Sequence, residues 1–286
     1  MNDRAERGDG ESGDPHDGSV SDDPTPLAVL RRLVDEEAPL ASIHAATHAR
    51  LTHVERGRCE ARMPTVIGDG LLESVLILAD FVLGVAYSSS LRAGDRIVTV
   101  RLGVQLIGRP LPGEELGATG TLDDSRSGVG LSSATITDRE GRTVARCVGR
   151  NAVLTDGLAE QYGRTAPAWA ARPTAWRMLM PHRGENPTRD GTTMIAHPDR
   201  WTANAVGVVQ GGALAGLAAR GLSHALDVLP DDFTITYVRS VRAGEGPVRC
   251  RVVVEHAGRR LRAGRAELVD DHGKLLASAA GSSFRH

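Results

Sequence analysis

The chain has 286 residues, 41% hydrophobic, 24% charged and only 3% aromatic, which excludes wholesale disorder and allows one large or two ordinary domains. Its 34 basic residues balance 36 acidic ones, for a net charge of −2. That balance supplies no broad basic face for a polyanion and argues against a nucleic-acid partner.

In chain order, residues 1–25 are acidic, rich in Gly and Pro and poor in large apolar groups, and read as a disordered tail. They lack the basic start and apolar stretch of an export signal, so the expected location is cytoplasmic. Leucine and valine at helical spacing from Pro26 to Glu37 predict a short amphipathic helix. Leu71 to Ala86 is apolar on every face except for Glu73, Ser74 and Asp80. It is short for a bilayer, where about 20 apolar residues are needed, and it reads as a helix enclosed by protein, with no membrane partner. Val98 to Ile107 then alternates with period two, and further candidate strands follow as far as the turn Asp138 to Gly141. The three cysteines, Cys59, Cys147 and Cys250, stand far apart and form no paired framework or metal motif.

The same order recurs after residue 181. Gly207 lies 139 residues after Gly68, each just ahead of an apolar helix, and Asp270-Asp-His-Gly273 repeats the earlier Asp138-Arg-Glu-Gly141. The second helix spans Gly211 to Leu229, and its strands begin near Phe233. Asp156 to Met180, holding Pro167, Trp169, Pro173 and Trp176, reads as a linker. The organisation expected is therefore a tail (1–25), a first unit (26–155), a linker (156–180) and a second unit (181–286).

Two features carry chemistry. Asp80 sits mid-helix among apolar residues; burial raises a carboxyl's pKa toward the range of a general base, although a structural aspartate paired with an arginine fits the same pattern. Asn204-Ala-Val-Gly207-Val-Val-Gln210-Gly211-Gly212 precedes the second helix, whose free N–H groups and dipole suit an oxyanion, although Gly-Gly is also a common turn device. Glu73 lies two turns before Asp80 on the same face, where it complements the helix dipole or acts as a second acid. Ser223 and His224 have no visible third partner, and the spacing of His44, His48 and His53 suits no metal. Neither a G-x-S-x-G elbow nor a nucleotide-binding glycine motif occurs.

The pattern N-x-x-G-x-x-[HQ]-G-G opening a buried helix, an Asp nine residues after the His/Gln position, and a D-x-x-G-K/R-x-x-A turn resemble the PaaI-like hotdog-fold acyl-CoA thioesterases. The resemblance covers most of residues 40–155 and 185–286. It implies an α+β double hotdog, two antiparallel sheets each wrapped around a long central helix, forming an internal pseudo-dimer that can associate further. In that family the aspartate of one unit faces the helix N-terminus of the other. Here the second unit keeps Asn204, Gly207, Gln210, Gly211 and Gly212 but has Ala219 at the aspartate position. The first keeps Asp80 and Gly68 but has Thr65, Leu71, Leu72 and Glu73 elsewhere.

The resemblance thus implies one composite site and one dead one. Asp80 would be general base or nucleophile, Gly211 N–H and Gln210 would stabilise the oxyanion, and Asn204 would hold the loop or orient water. Gly207, Gly212, Arg109 and Arg242 would contact substrate, with Arg239 on similar ground. No metal or cofactor is expected, coenzyme A entering only as part of the substrate. The rivals are a non-catalytic acyl-CoA-binding protein and a hotdog hydratase.

Overall fold

The computed structural model describes residues 24–65, 71–154, 180, 182–184 and 192–284. The expected tail and linker, and Gly68, lie almost entirely outside these residues. Four α-helices are described, α1 (Pro26–Asp35), α2 (Ser42–Thr47), α3 (Leu71–Ser88) and α4 (Gly211–Leu226), with a short 3-10 turn at Arg200–Thr202. Thr25 caps α1, its hydroxyl accepting from the Ala28 N–H, and Pro26 fills the first turn, where no backbone donor is needed.

The strands before the second helix are β1 (Arg50–Glu55), β2 (Arg58–Pro64), β3 (Arg96–Leu106), β4 (Glu115–Arg126), β5 (Val129–Thr137), β6 (Thr143–Leu154), β7 (His182–Gly184) and β8 (Thr192–Ala196). After it come β9 (Asp232–Tyr237), β10 (Val248–Ala257), β11 (Leu261–Val269) and β12 (Leu275–Phe284). All neighbours pair antiparallel, in the order β1-β2-β4-β5-β6-β3-β9-β12-β11-β10-β8-β7.

The class is α+β, but the expectation of two separate sheets is corrected: the described strands form one continuous twelve-stranded sheet. The join is β3 with β9, the first strand after each long helix, with Leu102 opposite Ile235 and Val104 opposite Phe233. Each strand carries its own inward row of apolar residues, so pairing them closes two edges that would otherwise present unpaired N–H and C=O groups. The two Asp-x-x-Gly turns have the same internal bonding. Asp138 Oδ1 accepts from the Glu140 and Arg142 N–H groups, and Asp270 Oδ1 from those of His272 and Lys274.

The core is built around α3 and α4. α3 is apolar and long enough by composition to span a bilayer, yet its surface is taken up by β2 to β6 on one side and α4 on the other. Val75, Leu76, Ile77, Leu78 and Val82 are wholly buried, each such side chain contributing about 1.5–3 kcal/mol. The two helices run antiparallel in close contact because Gly212 permits it. A Cβ there would collide with the Leu76 carbonyl and lie 2.6 Å from Ile77 Cα.

Candidate active site

Asp80 projects from the middle of α3 toward the N-terminus of α4. A Cβ on Gly211 would stand 2.9 Å from Asp80 Oδ1 and 3.1 Å from Oδ2, so glycine there is what lets the carboxylate reach the helix end. Burial drives the Asp80 carboxyl above the usual carboxylate range. The Thr99 hydroxyl and the backbone N–H groups of Gly212 and Gly211 oppose that rise. The Thr99 hydroxyl donates to Asp80 Oδ1 at 2.8 Å, and Asn151 Nδ2 in turn donates to Thr99 Oγ1 at 3.3 Å. Thr99 stands opposite Asn151 across β3 and β6, and a bulge follows at once between Thr99 and Arg101. Such irregularities re-aim side chains beside sites, and this one sets the relay from strand to helix.

Gln210 caps α4. Its Oε1 accepts from the Ala213 N–H and its Nε2 donates to the Ile77 carbonyl at 3.1 Å, tying the start of α4 to the backbone of α3. An amide nitrogen carries two hydrogens, so one donor is left. Asn204 holds the loop ahead of the helix, its Oδ1 accepting from the N–H groups of Val206 and Val208. Tyr237, at the end of β9, donates to the Gly211 carbonyl at 2.7 Å. Burial and the negative charge of Asp80 push its phenol well above the ordinary range, so it stays a protonated donor.

These groups meet at a cavity of ≈ 240 Å³, with Asp80, Thr99, Gln210, Gly211 and Tyr237 in one part of its wall. Val206, Val238, Arg239 and Ser240 line another part, and Val238, Arg239 and Ser240 are exposed there. Leu30 and Leu40, from α1 and the segment after it, also contribute, beside His44, Phe81, Gly84 and Val85. His44 is buried and stacked on Phe81 at 3.9 Å between ring centroids; desolvation lowers its pKa to about 3, so the ring is neutral.

Asp80, Asn204, Gln210 and Gly211 are thus brought to one cavity, whereas Gly207, Gly212, Arg109 and Arg242 are not in its wall. Gly212 is spent on the contact between helices, and Gly207 serves the Asn204 turn at φ +80. Arg109 lies beyond the far end of β3, 3.8 Å from Asp231, and Arg242 points to solvent beside Glu245. Glu73 neither acts on the cavity nor simply faces solvent at its helix end. Arg220 Nε and Nη2 each lie 2.7 Å from its Oε1, in a buried ion pair joining α3 to α4. In the register that places Asp80 with Ala219, Glu73 takes the position of Gly212, so the residue corresponding to that glycine is engaged in an ion pair.

Thr99, Asn151 and Tyr237 are the residues that sequence reasoning missed. The inward positions of β6 run Ala145, Cys147, Gly149, Asn151, and those of β9 run Phe233, Ile235, Tyr237. A polar group ending each apolar row was the available signal.

A continuous antiparallel sheet holding two central helices, with a buried carboxylate on one aimed at the N-terminus of the other, is the architecture of a hotdog fold. Within it, residues 197–283 match the family described as the acyl-CoA thioesterase N-terminal domain. Among solved structures, the chain is similar to the tesB protein of Mycobacterium avium subspecies paratuberculosis, with a TM-score of 0.58 at 11% identity over 87% of this chain and 100% of that one. It is similar to acyl-CoA thioesterase II TesB2 from Mycobacterium marinum, at TM-score 0.57, 12% identity and coverage of 86% and 97%. A 12:0-ACP thioesterase from Umbellularia californica gives TM-score 0.54 and 11% identity over 79% of this chain and 94% of that one. No curated protein matches by sequence.

Proposed function

We propose that the chain is a thioester hydrolase acting on acyl-CoA at one composite site, formed by Asp80 of the first unit and the start of α4 in the second. The two halves are read as copies of one hotdog unit, sharing the order of helix, strands and Asp-x-x-Gly turn. The observation that carries the function is the buried Asp80 carboxylate set against Gly211 across the two halves.

Asp80 takes a proton from water as the water oxygen bonds to the thioester carbonyl carbon. The negative charge that develops on the carbonyl oxygen is stabilised by the N-terminal end of α4, through the remaining Gln210 amide hydrogen and the Gly211 N–H, which Asp80 releases as its carboxylate takes the proton. The C–S bond then breaks, and the departing thiolate recovers the proton from Asp80. Thr99, backed by Asn151, fixes the carboxylate, and Tyr237 fixes the Gly211 peptide. Exposed Arg239 at the rim suits the phosphates of coenzyme A, and the site asks for no metal or cofactor.

Purified protein incubated with acyl-CoAs of varied chain length and a thiol reagent is expected to release free coenzyme A, and Asp80→Ala to lose about 10²–10⁴-fold in rate. Absence of thiol from every substrate, with acyl-CoA binding unchanged in Asp80→Ala, selects the non-catalytic binding protein instead.

A further inference from the structure

Every residue of α3 from Leu72 to Ser88 is buried except Gly84. Gly84 lies one turn beyond Asp80 on the same side of the helix and, like Asp80, lines the cavity. Glycine inside a helix lowers its stability relative to alanine, so an interior glycine calls for a reason. At other glycines that face α3 the reason is contact, as at Gly212 on α4 and on the strands beside it. A Cβ on Gly120 would lie 2.6 Å from the Val82 carbonyl, and one on Gly130 would lie 2.7 Å from the Tyr87 ring. At Gly84 the same atom would meet only Ile97 Cδ1, at an ordinary 3.7 Å. Packing within the protein does not require the missing side chain, and the space it leaves belongs to the cavity.

The wall around that space is mainly apolar: Phe81 and Val85 on α3, Ile97 on β3, and Leu30 and Leu40 from the N-terminal segment, with the neutral His44 ring stacked on Phe81. Ser88, two turns past Asp80, also lines the cavity. The distance along the helix from Asp80 to Ser88 is about 12 Å at 1.5 Å per residue.

Resting on the thioesterase reading, we propose that Gly84 is the specificity-determining residue of the site. The acyl group of the substrate lies across its backbone toward Leu30 and Leu40 and is an unbranched apolar chain. With C–C bonds of about 1.5 Å in zigzag, advancing roughly 1.3 Å per carbon, about 12 Å holds a chain of about nine carbons. The carbonyl stands at Asp80, and the coenzyme moiety leaves past Val238 and Arg239.

The test is the ratio of kcat/KM for decanoyl-CoA to that for butyryl-CoA in wild type, Gly84→Leu, Gly84→Ala and Leu30→Ala, with each fold checked by circular dichroism. Wild type is expected to favour the longer chain. Gly84→Leu lowers the ratio at least tenfold by filling the slot, and Leu30→Ala moves the optimum to longer chains. If Gly84→Leu does not fold, Gly84→Ala, which the space admits, carries the test with a fall of about threefold. A flat chain-length profile in wild type, or a ratio unchanged in the folded Gly84 variants, overturns the inference while leaving hydrolysis intact. Absence of turnover on every acyl-CoA overturns the hydrolase reading instead, and the chain-length dependence of Kd, measured by calorimetry on the same proteins, then decides the role of Gly84.

Discussion

Replacing Thr99 by Val removes one hydroxyl hydrogen bond from Asp80 and keeps the branched shape. In the native site the hydroxyl donates at 2.8 Å to a carboxylate that burial has already pushed above its usual range, so it favours the charged form. A hydrogen bond to a charged group is worth about 1.5–3 kcal/mol. At about 1.4 kcal/mol per pH unit, its loss should move the acid limb of the kcat/KM profile upward by roughly one to two units. The sign follows from the role proposed for Asp80: a base must be ionised, the variant carboxyl holds its proton to higher pH, and activity at low pH falls most. Thr99→Ser, which keeps the hydroxyl, should leave the limb where wild type has it. The variant also strips Asn151 Nδ2 of its acceptor in a buried position, which should lower stability by about 1–3 kcal/mol in denaturant titrations. A limb that stays put in Thr99→Val, or moves downward, would refute the reasoning that this hydroxyl tunes the catalytic carboxylate.

Three further outcomes are expected. Gly212→Ala drives a methyl group into the backbone of α3, and overpacking of this kind costs about 1–3 kcal/mol or more, so thermal melting should fall sharply even though Gly212 does not line the cavity. Glu73→Ala removes the 2.7 Å ion-pair contact between α3 and Arg220 of α4 and should cost about 3–5 kcal/mol, whereas replacing both residues by apolar ones of similar size should be near neutral. Equal losses in the single and double variants would contradict that account. Tyr237→Phe removes the donor to the Gly211 carbonyl; a loss of about 0.5–1.5 kcal/mol corresponds to a two- to tenfold fall in kcat/KM, to be read from steady-state kinetics on a single acyl-CoA.

The parts of the molecule that repeat at short range were legible in the sequence. Period-two alternation located β3, unbroken apolarity located α3, and the Gly-Gly pair located the start of α4, because each depends on a few neighbouring residues. The antiparallel pairing of β3 with β9 was not legible, since a strand edge that closes a sheet on its own copy has the same alternation as one that ends it. Asp80 stood out as a carboxylate in an apolar helix, a pattern that a structural aspartate also fits, and Gln210 stood out through the Asn204 to Gly212 stretch ahead of α4. Thr99 did not, because threonine is ordinary on a strand and its role depends on the bulge that aims it at a helix nineteen residues earlier. Glycine at 211 and 212 was anticipated as room for a ligand. At Gly212 the backbone that approaches is α3, whereas Gly211 lies against Asp80 and lines the cavity. Arg109 and Arg242 lie outside the cavity wall for a related reason: the start of β3 lines the cavity while Arg109 follows its far end, a separation that sequence adjacency to a turn does not reveal.

The central claim is that one acyl-CoA is hydrolysed per composite site, with Asp80 as the base. The most direct measurement combines calorimetric titration of Asp80→Asn with an acyl-CoA and thiol-release kinetics of the same variant. The account predicts one molecule bound per chain and a rate reduced by about 10²–10⁴-fold relative to wild type. Two molecules bound per chain, or turnover at the wild-type rate, would contradict it.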